Sequence, residues 1–164
     1  MQTNDSVTAT EEIIITVFQS AGLVAHAKML VRMTEEETNE YKVVALATAT
    51  ILMGAAALEA LLSEAAYVLK PELYKQRGRG SYLKVGPPDK FKRLIGYESS
   101  EVRSIWDARI AVAHSEPHNS RSRFVGEKLN AEGVKWVIDA IEKVSGEVWG
   151  ESMPSWFKEG AGLT

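Results

Sequence analysis

Cysteine is absent from the 164 residues. That absence excludes disulfides, thiolate metal sites and a cysteine nucleophile, and it suits a reducing compartment. Proline is scarce: five residues, at 71, 87, 88, 117 and 154. None precedes Pro71, which favours long uninterrupted helices in the first 70 residues. Histidine is limited to His26, His114 and His118. No His-Glu-x-x-His pattern occurs, and Pro117 interrupts the helical spacing that would align His114 with His118, so neither a metal site nor another cofactor is expected. His26, among aliphatic neighbours, reads as a helix-surface or core-edge histidine. No basic residue precedes an apolar run in the first six positions, so no secretory leader is expected and the expected location is cytoplasmic. Internal repeats, low-complexity tracts and credible strand alternation are likewise missing.

What is present is enough apolar side chain for one core. Hydrophobic residues make up 45 %, and 19 Lys and Arg oppose 22 Asp and Glu, for a net charge of −3. A single domain over 1–164 is expected, with its core at about 10–149 and a tail at 150–164. Apolar residues at 3- and 4-residue steps predict a first helix near 10–37, carried by Ile14, Val17, Phe18, Ala21, Val24 and Ala25 and continued by Met29, Leu30 and Met33. Thr8 and Glu11 fit a capping box for its start.

A second helix is predicted over 40–69. Its stretch 43–58, VVALATATILMGAAAL, carries no charge. Sixteen residues fall short of the roughly 20 that a membrane span requires, so a buried central helix is expected and no membrane partner. The stretch 71–90 reads as a long connection broken by Gly78, Gly80, Gly86, Pro87 and Pro88, with room for a short hairpin or helical turn. A third helix is predicted from Ser99 or Ser100 to about His114. A fourth, N-capped by Asn130, carries the stripe Val134, Val137, Ile138, Ile141, Val144 and Val148. The tail either packs through Trp156 or Phe157 or frays. The expected class is all-α, a four-to-five-helix up-down bundle.

Two features carry chemistry. On the predicted third helix, Arg109 lies on or beside the apolar face, and His114 ends the helix five residues later. A buried guanidinium needs a partner. Either Arg109 pairs with a carboxylate such as Glu59 or Glu64, or it is directed at a phosphate, for which its planar fork is suited. An imidazole with a pKa near 6.5 suits proton transfer at neutral pH. The second feature is charge. Between Lys70 and Arg93, eight basic residues (Lys70, Lys75, Arg77, Arg79, Lys84, Lys90, Lys92 and Arg93) meet two acidic ones, leaving the rest of the chain at −9. Tyr74 and Tyr82 interleave with these charges and could stack on bases, while Arg121, Arg123 and Lys128 extend the basic character beyond the third helix. The candidate RNA contacts are therefore Lys75, Arg77, Arg79, Arg121 and Arg123. The plain alternative is a solvated loop.

The run Arg109-Ile110-Ala111-Val112-Ala113-His114 resembles the Arg-x4-6-His signature of the HEPN superfamily, helical-bundle proteins of which many are metal-independent ribonucleases of defence and toxin systems. The second helix with ALEALLSE at 57–64, the helix order, and the motif's place at the end of the third long helix are similar as well. The resemblance spans most of 11–149. It implies a HEPN-like bundle, a homodimer whose two motif helices share a cleft, Arg109 and His114 as catalytic residues on RNA, no metal or other cofactor, and an antitoxin or other protein partner. One position departs from the pattern. Many active members carry a polar residue, often Asn, directly after the arginine, where this chain has Ile110. A non-catalytic module of the same type, binding RNA, a nucleotide or a protein, is the alternative. A helical interaction protein with Arg109 in a structural ion pair is the third reading.

Overall fold

The computed structural model describes the backbone of residues 5–114 and 129–163, and side chains from 19 to 113 and from 129 to 163. Seven α-helices and no strand occur among the described residues. They are α1 (Asp5–Glu36), α2 (Glu40–Leu69), α3 (Pro71–Tyr74), α4 (Pro87–Ile95), α5 (Ser100–His114), α6 (Ala131–Trp149) and α7 (Ser155–Ala161), with 3₁₀ turns at Tyr82–Lys84 and Gly150–Ser152. The protein is all-α.

α1 and α2 form an antiparallel hairpin around the turn at 37–39. The Glu37 carboxylate accepts the backbone N–H groups of Thr38 and Asn39 at 3.0 and 2.9 Å, and these bonds hold it below the usual carboxylate range. Asn39 then caps α2, its side chain accepting from the Lys42 N–H at 3.2 Å. Far from that turn, Ser20 on α1 meets Glu64 on α2. α6 runs antiparallel to α1: Lys135 reaches Glu35 at 3.0 Å, and Lys28 reaches Glu142 at 2.9 Å.

α2 is the core helix. Ile51, Leu58, Leu61 and Leu62 are buried, and Gly54 abuts Val137 and Ile141 of α6. A Cβ at Gly54 would stand 2.4 Å from Val137 Cγ1, so the absence of a side chain there sets how closely the two helices approach. By length and composition the whole of α2 is apolar enough to cross a membrane; 39 % of its most apolar window is buried inside the bundle. Five of the six apolar positions expected for α6 are buried, Ile138 being half-exposed.

Several expectations need correction. Thr8 lies inside α1, so it does not cap that helix. Met29 and Met33 face outward, and the buried positions that follow Val24 are Ala27, Val31 and Thr34. Ile14, Val17 and Phe18 lie outside the described side chains. Pro87 and Pro88 do not break structure. They open α4, because the first helical turn needs neither of their missing N–H groups. The connection at 71–90 therefore holds α3, a 3₁₀ turn and the start of α4. The tail packs: Phe157 is fully buried, Trp149, Trp156 and Phe157 form an aromatic cluster with centroids 5.8–6.0 Å apart, and Lys28 Nζ donates to the Gly162 carbonyl at 3.0 Å.

Candidate functional site

α5 starts at a cap, where Ser99 Oγ accepts the Val102 N–H at 3.2 Å. In its first turn Glu101 pairs with Lys143 of α6, and that ammonium holds the carboxyl down to about 2. Val102, Ile105 and Ala108 are buried and fasten the helix to the core. Trp106 and Arg109, three residues apart, lie half-buried beside this inner face.

The Arg109 guanidinium carbon stands 4.7 Å from the centroid of the Trp106 ring. Neither carboxylate proposed as its partner reaches it. Glu59 binds Lys90 at 3.3 Å, and Glu64 is occupied by Ser20. Of the two alternatives offered for Arg109, the pairing with Glu59 or Glu64 is not formed, and its contact among the described residues is a cation–π one. His114 is the last described residue of α5; its side chain lies outside the described residues. Because α5 remains helical to that point, positions 109 and 114 keep an offset of roughly 140° around the axis and 7.5 Å along it.

The basic stretch divides by role. Lys75, Arg77 and Arg79 are exposed on the segment between α3 and the 3₁₀ turn, and Arg77 donates to the carbonyls of Lys75 and Gln76 at 3.0 and 3.1 Å. Arg93 donates to the Gly80 carbonyl at 2.7 Å, and Gln76 accepts the Tyr82 N–H at 3.2 Å, so the segment is tied at both ends. Lys70 is bonded to the Leu94 carbonyl at 2.6 Å, and Lys92 pairs with Glu98 at 3.2 Å. Lys90 is 2 % exposed, set between Glu59 and Ser63, and contributes nothing to a surface. Tyr82 is fully buried with its hydroxyl donating to the Leu62 carbonyl at 2.7 Å, and burial pushes its phenol up; it is unavailable for stacking on a base. Tyr74 packs edge-on against Tyr67 at 5.1 Å. His26 is exposed on α1. Arg121, Arg123, Lys128 and His118 lie outside the described residues.

The sequence offers Glu64 only as a partner for Arg109, and the structure gives it a different environment. Glu64 is 2 % exposed and receives the backbone N–H of Ser20 at 3.2 Å together with its hydroxyl. Burial raises this carboxyl to about 7. Among the described residues no three His, Asp or Glu side chains gather as a metal site would require. The Trp106–Arg109 stack had a signal in the sequence, an aromatic and an arginine at i, i+3 on a helix. No family model, curated protein or solved structure matches the chain.

Proposed function

We propose that this chain is a HEPN-like helical protein that acts as a homodimeric, metal-independent endoribonuclease in the cytoplasm, in phage defence or as a toxin held by an antitoxin partner. The observation that carries the reading is Arg109: half-buried on α5, resting on a ring with no carboxylate paired to it among the described residues, and five residues before His114 on the same helix. A guanidinium in that state keeps its N–H donors for a phosphate.

In the proposed reaction the RNA 2′-hydroxyl attacks its own adjacent phosphorus, and the 5′-oxygen leaves. One imidazole takes the hydroxyl proton and another protonates the leaving oxygen, each contributing about 10²–10⁴-fold. A chain with one motif brings one such histidine. A two-fold pairing of α5 helices brings two, together with two arginines to stabilise charge on the phosphate. The angular offset between positions 109 and 114 within one straight helix supports a site assembled from two chains. Lys75, Arg77, Arg79, Arg121 and Arg123 would contact the RNA backbone.

The test is cleavage of an RNA panel by purified protein with EDTA present. Wild-type protein is expected to cleave; Arg109→Ala and His114→Ala are expected to lose at least about 100-fold. Equal cleavage by wild type and His114→Ala overturns the assignment. Ile110, apolar and half-buried directly after Arg109, favours the second reading, a non-catalytic module that binds RNA, a nucleotide or a protein partner. RNA binding without cleavage under the same conditions would select it.

A further inference from the structure

Trp106 is not part of the Arg-x4-6-His signature, yet it is the group that Arg109 touches. Its own place is set by the packing of α4 on α5. A Cβ built on Gly86, the residue that precedes α4, would lie 3.5 Å from Trp106 Cζ2 and 3.6 Å from Cε2, so the six-membered edge of the ring rests against the Gly86 backbone. α4 is anchored in turn by Phe91 and Leu94, both buried, and by Lys90 between Glu59 and Ser63 of α2. The ring is therefore fixed by the bundle, and the flexible arginine is laid over it.

We propose that Trp106 is a positioning residue for Arg109, holding the guanidinium in place so that its donors meet an RNA phosphate without first having to be ordered. This rests on the reading of Arg109 as a phosphate-binding group. An arginine side chain loses much rotamer freedom when it grips a ligand, and holding it beforehand reduces that loss. A carboxylate would hold it too, but by occupying the N–H donors that a phosphate needs. The face of an indole attracts the cation through its quadrupole and leaves those donors free. Leucine or methionine at 106 could fill the space against Gly86 but would offer no such face.

The experiment measures affinity for a fluorescently labelled 2′-O-methyl RNA oligonucleotide, which lacks the attacking hydroxyl and reports binding alone. Trp106→Leu is expected to weaken binding about 2- to 5-fold, the worth of an exposed cation–π contact. In an Arg109→Ala background the same substitution is expected to change nothing. Trp106→Phe, which keeps a ring face, should restore most of the affinity. Trp106→Met repeats the measurement should Trp106→Leu not fold. Equal losses in the wild-type and Arg109→Ala backgrounds would show a merely structural role and overturn the proposal, as would no loss in either. An Arg109→Ala protein that binds the oligonucleotide as tightly as wild type would instead defeat the phosphate-binding reading beneath it.

Discussion

A carboxyl buried between two helices makes the stability of that contact depend on pH. Glu64 is raised to about 7 by burial, against 4.5 for a free carboxyl, and its partners are the N–H and hydroxyl of Ser20. Below pH 4.5 folded and unfolded chains both hold the proton. Between 4.5 and 7 the unfolded chain releases it first, so stability from this group falls as pH rises, and above 7 the loss is complete. The shift corresponds to about 3 kcal/mol. Glu64→Gln should therefore be more stable than wild type at pH 8 and should flatten the decline between pH 5 and 7. Urea unfolding at pH 5, 7 and 8 checks this, and a slope unchanged by the substitution would contradict it. Gly54 makes a second prediction. Alanine is intrinsically better in a helix by about 1 kcal/mol, but its methyl would press on Val137 at 2.4 Å. Overpacking of this kind costs about 1–3 kcal/mol, so Gly54→Ala should lower the melting temperature. Neither residue's role could be read along the chain. Glu64 looked like a partner for Arg109, and only the register of α1 against α2 hands it to Ser20.

Helix ends with local chemistry were legible. Asn130 caps α6, its side chain accepting the Gly133 N–H at 2.7 Å, and α2 spans the 40–69 expected of it. Pro87 and Pro88 were misjudged because proline both stops a helix and starts one, and the neighbours of a proline do not say which. Here Gly86 precedes them in an extended conformation, and a left-handed Gly96, at φ 102°, closes α4. The tail was undecidable from sequence, since Trp156 and Phe157 pack only if α1 and α6 present them a surface. α6 does so through Trp149, and α1 meets α7 where Ala21 abuts Gly160. Phe157→Ala should cost about 3–5 kcal/mol, the usual loss for a fully buried phenylalanine. A loss under about 1 kcal/mol in denaturant unfolding would mean that α7 docks only weakly.

Charge is distributed unevenly over the whole molecule, and the fold divides it further. Lys90 is withdrawn into the interior, and Lys70, Lys92 and Arg93 are engaged by a carbonyl, a carboxylate and a carbonyl. Lys75, Arg77 and Arg79 remain exposed together on one tethered segment. If that segment follows an RNA backbone, replacing all three by alanine should lower the salt dependence of single-stranded RNA binding by about 2 in the slope of log K against log salt, and weaken binding alike for different sequences. An unchanged slope would place the RNA elsewhere.

By itself the sequence determined that the protein is helical and where its long helices run, because 3.6-residue periodicity, caps and the absence of proline before Pro71 act within a few residues of one another. It also marked Arg109 and His114 by their spacing. Which charges reach solvent, which carboxyl is buried and what Arg109 rests upon were decided only in the tertiary structure. Those outcomes depend on contacts such as Ser20 with Glu64 and Gly86 with Trp106, between residues far apart in the chain or on different helices, and no periodicity along one helix encodes its register against the next.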